Sequence, residues 1–338
     1  MKRRDFLKFG ATATTATLVS GSVGLLSFSQ RASASTISIV LNAVAGDITM
    51  VDGSSVRVLT FSQNNAPSFP GPTILAQEGD SVQVTLNNSL NTGVVFALGG
   101  TNIRQYVGAS SSVTTTFAVP RAGTYLYYDD QNNGVNRVLG LHGALVVMPS
   151  GYSNQSFAGA PTFMRQYKWL IGSVDTNWSN QIRTNGASYV SSLNPSSYQP
   201  RYFTLNGKSY PHTDDDSKTA PYGLYGQAAL LRLLNGGGMI NSPHFHGNHV
   251  EILSVNRQNY ASNRKKKDIV PMFPLDTRDV LLPFIQPPDA YPPITTQAQE
   301  FPMHCHSEMS QTAGGGQYPN GLHVFMHLGV APPSEPTL

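Results

Sequence analysis

A single cysteine, Cys305, in 338 residues excludes any intrachain disulfide. An oxidising compartment is therefore tolerated but not used to staple the fold. Charge is scarce too: Asp, Glu, Lys and Arg make up 12% of the chain. Its densest basic run, "RKKKD" (Arg264 to Asp268), reads as a short solvated loop and gives no footprint for nucleic acid. After residue 34 no stretch is apolar and long enough to span a bilayer. No segment shows a sustained helical period, which argues against a helical fold.

What is present begins with "KRRDFLK" (Lys2 to Lys8), a weakly apolar Ala/Thr/Gly stretch, and "RASAS". Paired Arg3 and Arg4 ahead of Phe6 and Leu7, with Ala32 and Ala34 framing a cleavage point, read as a twin-arginine signal over residues 1–34. The expected location is the periplasm or the exterior; the alternative is a segment kept as an anchor. Removing residues 1–34 takes away Lys2, Arg3, Arg4, Lys8 and Arg31 against Asp5, and turns a formal charge of +3 into −1. The basic balance belongs to the signal.

The body of the chain holds 31 Gly and 23 Pro between short Val/Leu/Thr/Tyr runs. "SVQVTLNN", "SVTTTFAV", "GALVVM", "ALLRLL" and "HVEILSV" read as strands at sandwich spacing. "GDSVQVTLNN" (Gly79 to Asn88) parallels "GQAALLRLLN" (Gly226 to Asn235), each running from Gly to an Asn nine positions on. A further nine positions lead to Ala97 and to His244, and "GLHGALVVM" (from Gly140) echoes "GLHVFMHLG" (from Gly321). A duplicated β-sandwich follows, with domains over 35–150 and 164–338 and a polar, small-residue linker over 151–163.

In "FPMHCHSEM" a strand places His304 and His306 on one face and Cys305 on the other. Together with "PGPTILAQEGDSVQVTLNNSL" (from Pro70), "RAGTYLYY" and "SPHFHGNHVEIL" (from Ser242), it resembles the signature strands of the multicopper oxidases. The resemblance covers nearly the whole chain after residue 34. It implies an all-β fold of two cupredoxin-like Greek-key β-sandwich domains, two units where ordinary laccases have three.

The resemblance also implies copper: a blue site of two His and a Cys, and a three-copper cluster held by four His-x-His pairs. Neutral imidazole and thiolate suit that metal. His244 with His246, and His304 with His306, match the last-domain pairs. The first-domain pairs are replaced by Ala97-Leu98-Gly99 and Tyr128-Asp129-Asp130. Cys305 keeps the thiolate position, but Asn241 and Ser310 stand where the two blue-site imidazoles belong, and the axial position falls on Leu322, with Met309 near in sequence. Cys305 is thus a copper ligand or an inert buried thiol. Asp130 is a ligand at a lost pair or a loop carboxylate capping backbone N–H groups. His142 and His323, equivalent in the two halves, read as structural or exposed, His249 as a rim residue, and His212 and His327 as surface residues.

Two classes of function follow. One is an exported copper oxidoreductase with a reduced histidine site, acting on small phenols or metal ions as laccases do. The other is non-enzymatic: copper or zinc binding, or a metal-free pseudo-oxidase serving as an interaction surface. Four imidazoles do not by themselves choose between copper and zinc. The resemblance further implies a homo-oligomer, a trimer, although the missing first-domain histidines remove its metal-based reason.

Overall fold

A computed structural model describes residues 34–287, 298–333 and 338. Of the segment read as a signal, only Ala34 lies within them. The first part folds as β1 (Thr36–Thr49), β2 (Ser55–Ser62), β3 (Ile74–Gln77), β4 (Ser81–Asn88), β5 (Val94–Leu98), β6 (Arg104–Val107), β7 (Ser112–Ala118), β8 (Gly123–Tyr128) and β9 (His142–Met148). Two sheets result, in the orders β2-β1-β4-β7 and β3-β9-β8-β5-β6. Period-two alternation sends Val82, Val84 and Leu86 of β4 inward, where they meet Phe96, Tyr125 and Tyr127 from the facing sheet.

The second part repeats the plan with β10 (Arg165–Val174), β11 (Tyr202–Leu205), β12 (Tyr222–Gly223), β13 (Ala229–Asn235), β14 (Pro243–Phe245), β15 (Val250–Val255), β16 (Gln258–Asn259), β17 (Lys266–Lys267), β18 (Thr277–Leu282), β19 (Gln299–Cys305) and β20 (His323–Leu328). Its sheets run β11-β10-β13-β18-β15-β16, with β17 on β15, and β12-β20-β19-β14. Trp169, Leu231, Phe245, Met303 and Cys305 fill the space between them.

The duplication is visible in detail. β1 pairs parallel with β4 as β10 does with β13, and β3 with β9 as β12 does with β20. Asn88 and Asn235 end their strands with the same bonds: Oδ1 accepts from the amide two residues on, at 3.0 Å in both, and Nδ2 donates to the carbonyl four residues on, at 2.7 and 2.8 Å. Gly79 and Gly226, which open the two blocks, both adopt positive φ, at 93° and 77°. Across the sheets, Ala97 lies opposite Tyr128 and Tyr128 opposite His142, just as His244 lies opposite His304 and His304 opposite His323. The positions matched by counting are therefore matched in register.

Three expectations need correction. Besides the single turn α1 (Val135–Val138), a true helix α2 (Thr176–Asn185) is present. Asp175 caps it, accepting from the amides of Asn177 (2.7 Å) and Trp178 (3.2 Å), and its Trp178 and Ile182 bury into the first core. Two apolar residues four apart are too few to show as a period. The linker is not merely polar: Phe157, Ala160 and Phe163 are buried with Val146, Leu230 and Leu253, so it packs across both parts. "RKKKD" is not simply a loop, because Lys266 and Lys267 form the edge strand β17.

The two parts also meet through polar groups. Fully buried Arg232 donates to Thr124 Oγ1 (3.0 Å) and lies 3.5 Å from Asp279, whose other carboxylate oxygen accepts from Thr124 at 2.5 Å. A buried cation is tolerable only with such partners.

Candidate metal centre

β14 and β19 run antiparallel, and their register sets His244 opposite His304. Two bonds extend the ladder past the strand ends: His246 N–H donates to Pro302 O (3.1 Å), and His306 N–H to Ser242 O (2.9 Å). Strand alternation then turns Phe245, Met303 and Cys305 into the core and leaves four imidazoles on the outer face. Ring centroids lie 4.5 Å apart for His244–His246 and His244–His306, 5.1 Å for His246–His304 and 5.3 Å for His304–His306. One nitrogen from each of His244, His304 and His306 falls within 4.8 Å of the others. His246 joins them through His304, Nε2 to Nε2, at 3.0 Å. Two nitrogens on one ion at about 2.0–2.1 Å stand roughly 3 Å apart at near-right angles, so that pair already has a chelating separation.

The rings are half-buried except for exposed His306. Burial, reinforced by neighbouring imidazoles, holds His246 and His304 below the ordinary histidine range. Both therefore favour the neutral form that can ligate a metal. Behind the face, His244 Nδ1 lies 3.3 Å from the carbonyl oxygen of Asp268 and 3.8 Å from its carboxylate. Tyr318, exposed on the loop before β20, sets its ring edge-on to His304 and His323, with centroids at 5.9 and 5.7 Å.

The structure does not bring the other candidates to this face. Asp130 is engaged elsewhere: its carboxylate accepts two bonds from Arg104, at 2.8 and 3.0 Å. Its neighbour Asp129, fully buried, does the backbone capping, accepting from the amides of Val95 and Gln131. Cys305 lies in the core, where Sγ accepts from the amides of Ser242 (3.1 Å) and Ser307 (3.4 Å). The thiol in turn donates to Asn241 Oδ1, at 3.8 Å. Asn241, Ser310 and Leu322 are all buried and Met309 is exposed, so Cys305 has an amide, a hydroxyl and an aliphatic side chain where the resemblance implied imidazoles and an axial ligand.

Among the remaining histidines, His249 and His212 are exposed. His142 is sealed in the core, where its Nδ1–H donates to Arg137 O at 2.7 Å, and burial lowers its pKa to about 4. His323, also buried, sits among Tyr210, Tyr318 and Phe325 and is likewise pushed to about 4 by burial. His327 is not a surface residue: it is buried, stacked on Tyr222 at 4.2 Å, with Asp214 and Glu300 each 3.3 Å from a ring nitrogen. Asp268 and Tyr318 were missed. Asp268 is 24 residues from His244, and its contact depends on segment placement that no spacing rule shows.

Residues 44–151 match the model of the multicopper oxidase family. A copper-containing nitrite reductase from Alcaligenes xylosoxydans xylosoxydans is 26% identical over 215 residues, 59% of this chain and 62% of that protein. An L-ascorbate oxidase from Cucumis sativus is 36% identical over 103 residues, 26% of this chain and 17% of that protein. The chain thus spans about three fifths of the first relative and less than a fifth of the second. Among solved structures, the blue copper oxidase from Nitrosomonas europaea superposes with a TM-score of 0.70 at 20% identity, covering 86% of this chain and 85% of that one. The fold is that of the cupredoxin-like multicopper oxidases.

Proposed function

We propose that this chain is an exported copper-binding oxidoreductase whose metal is held by His244, His246, His304 and His306 on the outer face of β14 and β19. The observation that carries the reading is the convergence of three imidazole nitrogens within 4.8 Å, with a fourth ring 3.0 Å from one of them. Similarity to copper proteins supports copper as the ion, and zinc is the other metal such a set accepts. Bound copper would supply a one-electron couple. The chain's part is to present neutral imidazoles on a rigid strand pair and to leave His306 open to a small donor, a phenol or a metal ion. Sealed Cys305 without imidazole partners supplies no route for electrons from a separate blue site. That same feature favours a second reading: copper or zinc holding without turnover. A trimer, if formed, is not required to complete this ligand set, since all four rings come from one chain. Export by the twin-arginine route is part of the proposal and rests on residues 1–34.

The test is metal content per chain of the purified protein, followed by oxygen uptake with a phenolic donor. Copper at one or more ions per chain with donor-dependent uptake supports the oxidoreductase. Metal without uptake supports the holding protein. Neither metal nor uptake refutes both.

A further inference from the structure

A neutral imidazole has one lone pair to offer, and the partner of its other nitrogen decides which. Second-shell acceptors therefore orient metal ligands, and removing one typically costs about 10–100-fold in affinity. The segment after β17 runs beside β14 on the side away from β19. Phe245 N–H donates to Asp268 O at 2.7 Å, Val270 N–H to Pro243 O at 2.9 Å, and His244 bridges to Ile269. The same Asp268 carbonyl lies 3.3 Å from His244 Nδ1, and the carboxylate, about half exposed, lies 3.8 Å from it. The ladder bonds fix the carbonyl; the carboxylate adds a negative charge directly behind the ring.

We infer that Asp268 is a positioning residue for His244: it takes up Nδ1–H, holds that tautomer, and leaves Nε2 as the nitrogen offered to a metal ion. The inference rests on the four-histidine reading but makes a claim about the metal-free protein as well. Asp268 touches no metal or substrate in this role; it acts through His244. The carboxylate strengthens the donor by stabilising positive charge on the ring, as second-shell acids do for metal-bound imidazoles.

Two measurements test it. In ¹⁵N-labelled metal-free protein, long-range ¹H–¹⁵N correlations should report His244 as the Nδ1–H tautomer, with the signal assigned by its loss in His244→Ala. An Nε2–H tautomer overturns the inference whatever the metal does. In Cu²⁺ and Zn²⁺ titrations, Asp268→Asn should weaken affinity by about tenfold, and in a His244→Ala background the same change should cost nothing more. Parent-like affinity in Asp268→Asn, or an undiminished loss in the double variant, overturns it. Asp268→Ala is the second variant: both substitutions keep the backbone acceptor, so His244 should remain the Nδ1–H tautomer in each while the affinity falls for want of the carboxylate. If the parent binds neither ion, the metal reading fails, and the tautomer alone decides whether Asp268 positions the ring.

Discussion

Replacing His304 and His306 by Ala removes the two ligands supplied by β19 and the residue just past its end. Of the three nitrogens within 4.8 Å, only that of His244 survives, and His246 loses its partner at 3.0 Å. Four-ligand structural zinc sites bind with about 10–16 kcal/mol near pH 7, or roughly 3 kcal/mol per ligand. Losing two should cost about 5–8 kcal/mol, a fall in affinity of about 10⁴-fold or more. What remains is a two-imidazole chelate with centroids 4.5 Å apart. The assay is competition against a chromophoric chelator for Cu²⁺ and Zn²⁺, with circular dichroism and thermal midpoint as controls for folding. The fold should survive, because both rings point away from the core and His306 is exposed. Affinity within about threefold of the parent in a folded double variant would refute the reasoning.

Cys305→Ser should leave metal affinity within about twofold, and copper-loaded protein should lack an intense thiolate-to-copper band; a deep blue colour lost in this variant would contradict the core placement of Sγ. Metal affinity should fall with pH as imidazoles protonate, but His246 and His304, held low by burial, should resist to lower pH than four ordinary histidines would; titrations at pH 5, 6 and 7 measure this, and a full loss already at pH 6.5 would contradict it. For stability, His142 and His323 fall from 6.5 to about 4 on folding. Their neutral forms are favoured in the fold, so this contribution is whole above about pH 6.5 and is lost as pH falls toward 4, by up to about 3 kcal/mol for fully buried His142 and by less for His323, which solvent screens in part. Thermal unfolding from pH 7 to 4 should show a shallower acid slope in His323→Phe, and an unchanged slope would count against it. Asn235→Ala leaves Gly237 N–H, Met239 O and Met272 O without their buried partner and should cost about 2–3 kcal/mol by denaturant unfolding, with Asn88→Ala similar; a cost below about 0.5 kcal/mol would undo the shared role.

The repeat and the histidine face are local properties of the chain. Strand alternation is local, so "HFH" and "HCH" had to place their histidines together and Cys305 opposite, and equal nine-residue offsets had to carry Ala97 and His244 to equivalent strand positions. A Gly at positive φ and an Asn closing a strand are local requirements too, so both blocks carry them in the same places. Tertiary structure decided everything that depends on which strands become neighbours. Only the pairing of β14 with β19 brings His246 within 3.0 Å of His304, and only the strand-like segment beyond β17 puts Asp268 behind His244. Asp130 stood at a plausible ligand position, yet β5–β6 pairing delivers Arg104 to it, and the guanidinium engages the carboxylate directly through two hydrogen bonds. His327 looked like a surface residue because nothing in "FMHLG" announces Tyr222, Asp214 and Glu300, which reach it from β12, a loop and β19. Side-chain direction follows from the two-residue period of a strand, whereas partners more than a strand away follow from the packing of sheets.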